Sequence, residues 1–451
     1  MISSLHMRIP PPWNSRCCRL RQQRLTLVQC LTARLTKQGQ RFLSSLALAV
    51  TRDSKAASRL ISKFVASSPQ FIALNALSHL LSPDTTHPRL SSLAFPLYMR
   101  ITEESWFQWN PKLVAELIAF LDKQGQREEA ETLVLETLSK LGSRERELVL
   151  FYCNLIDSFC KHDSKRGFDD TYTRLNQLVN SSSSVYVKRQ ALKSMISGLC
   201  EMGQPHEAEN LIEEMRVKGL DPAGFEYKCI IYGYGRLGLL EDMERIVNQM
   251  ESDGTRVDTV CSNMVLSSYG DHNELSRMVL WLQKMKDSGI PFSVRTYNSV
   301  LNSCSTIMSM LQDLNSNDFP LSILELTEVL NEEEASLVKE LEDSSVLDEA
   351  MKWDSGETKL DLHGMHLGSA YFIILQWMDQ MRNRFNNEKH VIPAQITVVC
   401  GSGKHSTVRG ESPVKAMVKK MMVRTSSPLR VHRNNIGCFI AKGHVVKDWL
   451  C

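Results

Sequence analysis

Two short stretches near the C-terminus carry residue types that can act on a phosphodiester. In the first, Asp361 and His363 alternate with leucines, so on a β-strand the two polar side chains would share one face. The second reads Gly401-Ser-Gly-Lys-His-Ser, where glycines let backbone N–H groups approach a phosphate and Lys404 neutralises its charge. An imidazole can also move a proton near neutral pH. These types favour phosphate binding or acid–base chemistry.

The elements around these stretches predict a small α/β sandwich over residues 357–451. The predicted order is a strand with Leu360 to His363, a helix from about Gly368 to Phe385, an apolar strand Gln395 to Cys400, the glycine-containing loop, a helix near Ser412 with Pro413 at its first position, a turn at Asn434-Asn-Ile-Gly and a strand at Cys438-Phe-Ile-Ala. Both candidate stretches would then lie at the ends of strands.

A different pattern occupies residues 189–305, where one motif returns in phase. Met215, Met250 and Met285 are 35 residues apart, and so are Gly219, Gly254 and Gly289. Units beginning at Arg189, Gly224 and Thr259 place apolar residues at matching offsets in two sets. The first set is Met195, Ile196, Leu199; Ile230, Ile231, Tyr234; Val265, Leu266, Tyr269, and the second is Ala208, Leu211, Ile212, Met215; Met243, Ile246, Val247, Met250; Met278, Trp281, Leu282, Met285.

These offsets of three, four and seven mark one face of a helix, so each unit is predicted to contain two amphipathic helices. Gly203, Gly238 and Asn273 lie where the first helix must turn into the second, and each tolerates a positive φ. A single helical hairpin cannot cover its apolar face, so neighbouring hairpins should stack into an α-solenoid.

Ser197-Gly-Leu-Cys-Glu-Met-Gly, followed by His206-Glu-Ala-Glu-Asn-Leu-Ile-Glu-Glu-Met, resembles the pentatricopeptide repeat family. Val294-Arg-Thr-Tyr-Asn resembles the opening of one more unit. The resemblance implies binding of single-stranded RNA at about one base per unit. It also implies that the fifth and last residues of each unit read the base. Those residues here are Lys193 with Ala223, Lys228 with Asp258, Asn263 with Ser293, and Asn298, which opens the next unit.

The two C-terminal stretches together resemble the Smr (small MutS-related) domain, with Cys400 in place of the usual threonine. Proteins that join both parts are plant organellar factors. By this resemblance Asp361 would be a Mg²⁺ ligand or proton-accepting carboxylate, and His363 and His405 would take part in acid–base chemistry. Phosphate would be held by the loop residues Gly401, Gly403, Lys404, His405 and Ser406. Alternatively, Asp361 and His363 only hold the domain together.

The remaining segments are less regular. Residues 56–188 are predicted to form degenerate helical repeats, with units near Phe71, Pro111 and Cys153, and residues 306–356 an acidic linker or helix. Residues 1–52 contain no Asp or Glu but many arginines, which is typical of an organelle transit peptide, so residues 1–55 are predicted to be a disordered transit peptide. The alternative is a basic arm that touches RNA. The expected location is the chloroplast, with the mitochondrion as the alternative.

Charge and hydropathy limit the function classes. The formal net charge of the 451 residues is only +2, so a nucleic-acid surface must be local. Its predicted location is the C-terminal end, where basic residues cluster: Arg382, Arg384, Lys389, Lys404, Arg409, Lys415, Lys419, Lys420, Arg424, Arg430, Arg433, Lys442 and Lys447. No stretch is apolar for long enough to predict membrane insertion.

Three functions remain compatible with the sequence. The first is an RNA-processing factor, in which the solenoid selects a single strand and the C-terminal domain cuts it as an endonuclease. The second is a non-catalytic RNA-binding protein that stabilises or remodels transcripts or supports their translation. The third is a scaffold that binds other proteins.

Overall fold

The computed structural model describes residues 35–50, 54–82, 88–312, 319–342, 344–386, 391–401 and 412–451. Contacts divide the chain into two compact units, Met1–Ser194 and Met195–Cys451. Among the described residues, none of the helices combines the length and the apolar character needed to cross a bilayer.

The first unit is built from helical hairpins. Its helices are α1 (Lys37–Val50), α2 (Ser54–Ser67), α3 (Gln70–Leu80), α4 (Pro88–Ser91), α5 (Ala94–Thr102), α6 (Pro111–Lys123), α7 (Arg127–Leu141), α8 (Glu145–His162), α9 (Lys165–Ser181) and the first part of α10 (Val185–Glu201). The helix expected at Pro111 begins there, with Asn110 as its N-cap. The helix expected from Cys153 begins earlier, at Glu145, because its buried face already includes Val149 and Phe151.

The prediction that residues 1–55 are disordered is wrong for the part that the structure describes. Residues 37–50 form α1, in which Leu46 is fully buried. The ring of Phe42 stacks on that of Phe64 in α2, with the centroids 3.7 Å apart. The apolar residues of this segment therefore pack as core. Residues 1–34 of the predicted transit peptide lie outside the described residues.

The second unit begins with the regular repeats. Its helices are α11 (Pro205–Val217), α12 (Gly224–Leu237), α13 (Leu240–Ser252), α14 (Thr259–Asp271), α15 (Leu275–Asp287), α16 (Val294–Ser303) and α17 (Ser305–Gln312). The first helices of successive repeats, which we call A helices, are α10, α12, α14 and α16. Three of them begin at the predicted residues, Gly224, Thr259 and Val294, whereas α10 begins at Val185 rather than Arg189.

The expected core and turns of these repeats are confirmed. Every residue of the two apolar sets is buried. The turns between paired helices have positive φ, at 78° for Gly203, 73° for Gly238 and 57° for Asn273. Each hairpin thus buries the face that the 35-residue pattern predicts.

The acidic segment is more structured than a linker. It contains α18 (Ile323–Val329), α19 (Glu332–Glu342) and α20 (Val346–Ala350). Helix α19 packs against α15, where Glu340 pairs with Lys286 at 2.8 Å and accepts a hydrogen bond from Gln283 at 3.0 Å. Its apolar residues Leu337 and Leu341 are buried. Glu332, Glu333 and Glu342 are exposed, Glu334 is buried, and Glu340 faces α15, so the acidic segment is a helix that covers α15 rather than a solvated linker.

The C-terminal part is the expected combination of helices and sheet. It contains β1 (Met351–Trp353), β2 (Glu357–Asp361), α21 (Leu367–Asn386), β3 (Gln395–Val399), α22 (Pro413–Arg424), β4 (Arg430–Val431), β5 (Cys438–Lys442) and α23 (Gly443–Leu450). The sheet order is β1-β2-β3-β5-β4. Strands β2 and β3 are parallel and place Asp361 opposite Val399, so both candidate stretches begin at the same edge of the sheet. The sequence did not predict β1, β4 or α23.

Candidate nucleic-acid interface

Helices α12, α14 and α16 carry a repeating stripe of three side chains, in which the outer two are partly or fully exposed and the middle one is half-buried in α12 and buried in α14 and α16. On α12, Phe225, Lys228 and Tyr232 are half-buried, while Tyr227, Ile230 and the neighbouring apolar residues are buried. A spacing of three and four residues places the half-buried side chains along one side of the helix. The equivalents 35 residues on are Val260, Asn263 and Ser267 of α14, then Arg295, Asn298 and Asn302 of α16. We call these nine residues the A-helix stripe.

Each fifth residue in the second unit contacts the residue that precedes the next A helix. Lys228 Nζ lies 2.6 Å from Asp258 Oδ2, and Asp258 Oδ1 accepts a hydrogen bond from Cys261 N at 2.9 Å as the N-cap of α14. The structure therefore brings the predicted pair Lys228 and Asp258 into direct contact. Burial opposes ionisation of Asp258, but hydrogen bonds from Lys228 and from backbone N–H groups outweigh it and lower the pKa of its carboxyl group.

The predicted pair Asn263 and Ser293 is also in contact. Asn263 Nδ2 donates to Ser293 Oγ at 3.2 Å, and Asn263 Oδ1 accepts from Thr296 Oγ1 at 2.8 Å. Ser293 is the N-cap of α16 and accepts from Thr296 N at 3.3 Å. With 2% of its surface exposed, Asn263 is held by these bonds, while Ser293 is half-buried. Ser293 is thus the more accessible member of the pair.

The other predicted positions differ in their surroundings. Lys193 is half-buried on α10 in the first unit, and Ala223 is exposed just before α12 in the second. Ala223 has no side-chain acceptor, and its backbone N–H instead donates to Glu226 Oε2 at 3.0 Å. This position therefore offers a ligand only a methyl group.

Asn298, the fifth residue of the last unit, is buried and bonded to the C-terminal domain. Its Nδ2 donates to Gly364 O at 2.9 Å, and its Oδ1 accepts from His366 N at 2.8 Å. One turn further along α16, Asn302 Nδ2 lies 2.7 Å from His366 Nδ1. The last part of the stripe therefore holds the loop that follows β2, because both amide groups bond to it.

The same loop carries Asp361 and His363. Strand β2 ends at Asp361, so His363, which was predicted to lie on the strand, lies just beyond it, with Nδ1 2.6 Å from Asp361 Oδ1. Burial opposes ionisation of Asp361, but hydrogen bonds from the backbone and ring of His363 and the charge of Lys359 lower its pKa. The carboxyl group is therefore ionised at neutral pH, and Nδ1 carries the proton of this bond. The remaining ring nitrogen, Nε2, can accept a proton.

Gly401 begins the glycine-containing loop, and it lies close to the pair of Asp361 and His363. Its φ is +77°, and a Cβ built on it would lie 3.6 Å from His363 Nε2. The structure thus brings together Asp361, His363 and the start of the glycine loop. Gly403, Lys404, His405 and Ser406, also predicted to bind phosphate, lie outside the described residues.

The described residues do not supply the ligands for the predicted Mg²⁺. Within them, no group of three or more His, Cys, Asp or Glu side chains is arranged to hold a metal ion. Asp361 is a single carboxylate, with Oδ1 bonded to His363 and Oδ2 3.7 Å from Lys359 Nζ. Mg²⁺ needs several oxygen ligands, and this carboxylate already has two cationic or hydrogen-bonding neighbours.

The predicted basic cluster is partly used for packing. Arg424 donates to Phe319 O at 2.6 Å, Arg430 donates to Ser427 O at 2.6 Å, and Arg382 pairs with Asp379 at 2.8 Å. These arginines bond within the protein and stabilise the domain, so we do not expect them to bind phosphate. Lys389, Lys404 and Arg409 lie outside the described residues.

Six of the nine stripe residues, and His366 at the end of the stripe, were not predicted from the sequence. Phe225 and Tyr232 occupy the same side of α12 as Lys228, and helical spacing around the fifth residue was the signal that could have found them. His366 had no such signal, because its contacts with Asn298 and Asn302 join segments far apart in the chain.

Family models match the regular repeats. A family model described as PPR repeat matches residues 191–220 and 227–255, and one described as pentatricopeptide repeat domain matches residues 245–306. Among solved structures, the pentatricopeptide repeat protein PPR10 from maize aligns with 15% identity and a TM-score of 0.36, covering 88% of this chain and 61% of that one. A structure of PPR10 in complex with an 18-nt psaJ RNA element aligns with a TM-score of 0.34.

Two curated proteins of Arabidopsis thaliana extend the comparison. The pentatricopeptide repeat-containing protein At3g53170 is 23% identical over 44% of this chain, which spans 43% of that protein. The pentatricopeptide repeat-containing protein At2g17033 is 61% identical over 418 residues, which cover 92% of this chain and 82% of that protein. With that degree of identity over most of both sequences, and with the stacked 35-residue hairpins described above, the chain belongs to the pentatricopeptide repeat family.

Proposed function

We propose that the protein binds single-stranded RNA sequence-selectively along the A-helix stripe, at about one nucleotide per repeat. The observation that supports this most directly is a pattern that returns every 35 residues on successive A helices: a fifth residue bonded to the residue before the next A-type helix, flanked by partly or fully exposed side chains. Unpaired bases stack on aromatic rings, which Phe225 and Tyr232 supply. A stripe with this period offers equivalent contacts to successive nucleotides.

The composition of the stripe favours RNA over a protein ligand. Its polar members include Lys228, Asn263 and Ser267. Their side chains bond to Asp258, Ser293 and Ser299, which directly precede or lie in the next A helix. A peptide-binding groove needs apolar pockets for anchoring side chains, and Val260 is the aliphatic member of the stripe. The scaffold interpretation is therefore the weaker of the two.

Binding of a labelled random-sequence RNA pool by the full-length chain tests this proposal. We expect the single-stranded pool to bind, the same pool annealed to its complement to bind less, and affinity to fall as salt rises. The double variant Phe225→Ala/Tyr232→Ala should lose about tenfold or more in affinity, because each base–aromatic stack contributes about 1–3 kcal/mol.

The matched control is Leu280→Ala. Leu280 is 66% exposed on α15, away from the A helices, so its removal takes away apolar surface without touching the stripe. Equal binding by the double variant and the wild type would contradict the proposal. So would affinity that does not change with salt.

A second candidate function is cleavage of the bound RNA by the C-terminal domain, as its resemblance to the Smr domain implies. The supporting observation is the exposed pair in which Asp361 holds Nδ1 of His363 and Nε2 lies beside Gly401. An imidazole oriented by a carboxylate can take a proton from an attacking hydroxyl group. The alternative is a non-catalytic protein that protects or remodels transcripts.

End-labelled RNA incubated with the full chain separates these two functions. We expect shortened products with the wild type, and at least about a hundredfold slower product formation with His363→Gln or Asp361→Asn, because general acid–base catalysis typically contributes that much. Both variants should bind RNA as the wild type does. Cleavage that persists unchanged in both variants would assign the products to a contaminant. Absence of cleavage by the wild type would favour the non-catalytic function, and parallel reactions with Mg²⁺ or EDTA test whether a metal ion takes part.

The cellular site we propose is an organelle, with the chloroplast preferred and the mitochondrion as the alternative. The support is the acid-free, arginine-containing composition of residues 1–52. Imaging of residues 1–55 fused to a fluorescent protein in plant cells tests it, and a cytosolic signal would contradict it.

A further inference from the structure

Helix α21 of the C-terminal domain takes the place of the next A helix. Helix α12 packs on α14, α14 packs on α16, and α16 in turn packs on α21. Close approach of neighbouring A helices depends on small residues. A Cβ built on Gly270 of α14 would overlap Ser303 of α16, and one built on Gly368 of α21 would lie 3.3 Å from the backbone oxygen of Leu301 in α16.

The hydrogen bonds at the start of these helices repeat in the same way. Asp258, Ser293 and His366 each directly precede an A-type helix and accept the bond that begins it, from Ser262 N at 2.9 Å, Tyr297 N at 3.1 Å and Ala370 N at 2.9 Å. Each also bonds to the fifth residue of the preceding repeat: the side chains of Asp258 and Ser293 bond to Lys228 and Asn263, and the backbone N–H of His366 donates to Asn298. His366 therefore stands where the last residue of a fourth repeat would stand.

Counting along the sequence leads to a different residue. The position 35 residues after Ser293 is Glu328, an exposed residue of α18. The bonds of Asn298 run instead to Gly364 and His366. An insertion of segments α17 to β2 thus separates Asn298 from its spatial partner.

We propose that the pair of Asn298 and His366 forms a terminal position for a nucleobase, in which His366 contacts the base and Asn298 holds the backbone of His366, so that the C-terminal domain completes the last RNA-binding position of the solenoid. This rests on the proposed RNA-binding function and deepens it by naming a base position that the repeats alone leave unfinished. The ligand class is a nucleobase of single-stranded RNA.

The chemistry of His366 suits this role. Asn302 Nδ2 donates to His366 Nδ1, which places the ring proton on Nε2. Partial withdrawal of the ring from solvent lowers the pKa of this imidazole, so at neutral pH the ring is uncharged. His366 is exposed, and an uncharged imidazole offers a base both an N–H donor and an aromatic face. Asn298 contributes by fixing the backbone of His366.

The pair of Asn298 and His366 lies next to the candidate catalytic residues. His363 directly precedes Gly364, whose carbonyl oxygen accepts from Asn298. A nucleotide read by His366 would therefore have its sugar-phosphate near His363 and Asp361. The terminal pair thus gives the strand a fixed register at the candidate catalytic residues.

Selection from a random-sequence single-stranded RNA pool with the full-length chain tests the inference. We compare the sequence motifs that are enriched by the wild type, by Ser293→Asn, by His366→Ser and by the control His444→Ala. His444 is an exposed histidine of α23. The motif position that changes in Ser293→Asn identifies the base read by Asn263 and Ser293. We expect His366→Ser to lower base preference about fivefold or more at the adjacent position only, since a good base contact discriminates by about that factor or more.

The His366→Ser variant removes the side chain that would contact the base and keeps the backbone contacts of the loop. Asn298 bonds to backbone atoms of Gly364 and His366, so His366→Ser retains those bonds and provides a side chain favoured before a helix. The inference is overturned if His366→Ser enriches the wild-type motif at every position, or if it weakens all positions equally. If the wild type enriches no motif, the proposed RNA-reading function fails and this inference with it. His444→Ala should give the wild-type motif.

Discussion

The Tyr297→Ala variant is expected to lose about 3–5 kcal/mol of stability in the second unit, the range for removing a large buried aromatic side chain. Tyr297 of α16 is fully buried, and its ring centroid lies 5.9 Å from that of Phe372 in α21. Its hydroxyl group donates to Leu341 O of α19 at 2.7 Å and bonds to Ser344 Oγ at 2.8 Å. One side chain therefore joins the last A helix, the acidic helix and the C-terminal domain.

Hydrogen-exchange mass spectrometry of the full chain measures this effect, with faster exchange expected in peptides from α19 and α21. The matched control is Tyr297→Phe, which keeps the ring and removes only the hydroxyl group. Tyr297→Phe should lower the stability of the second unit by less, about 1–3 kcal/mol, because Leu341 O would lose its buried hydrogen-bond donor. Exchange in α19 and α21 that is identical for Tyr297→Ala and the wild type would show that these helices do not depend on this contact.

The Gly443→Ala variant is expected to destabilise the C-terminal domain by about 3 kcal/mol or more, at the upper end for overpacking. A Cβ at Gly443 would lie 1.8 Å from Pro393 O, and backbone atoms cannot move aside as a flexible side chain can. Gly443 N also donates to Ala394 O at 3.1 Å, so the segment before β3 is bonded to the start of α23. Relief of the clash would break that bond.

Gly356→Ala is the matched control in the same domain. Gly356 is exposed, and its new Cβ would meet a side-chain oxygen of Asp354 at 3.2 Å rather than a backbone atom. Its effect should stay within about 0.5 kcal/mol, as for most surface substitutions. Thermal unfolding and exchange in peptides from β3, β5 and α23 measure both variants. A Gly443→Ala protein as stable as Gly356→Ala would mean that α23 can shift away from Pro393 at little cost.

Reasoning from residue spacing succeeded where structure follows a local period. The 35-residue phase identified the hairpins, the starts of α12, α14 and α16, and every buried residue of the two apolar sets. In the C-terminal domain, apolar runs and Pro413 located α21, β3 and α22 closely. Helix faces and caps are encoded within a few residues, so a single sequence is enough to read them.

The same reasoning failed where apolar residues or charges find distant partners. Residues 37–50 look like part of an acid-free leader, yet Phe42 stacks on Phe64. The acidic run looks like a solvated linker, yet Glu340 binds Lys286 and α19 covers α15. Arg424 looks like a phosphate ligand, yet it donates to Phe319 O. Composition reports what a segment can bind but not which segment folds against it.

By itself, therefore, the sequence determined the repeat, its helical hairpins and the residue types of both candidate sites. Only the tertiary structure decided that α21 stacks on α16, that Asp361 and His363 meet Gly401, and that the partner of Asn298 is His366 rather than a residue one repeat further along. The physical reason is that these contacts depend on packing between segments separated by long insertions, which no periodic pattern along the chain records.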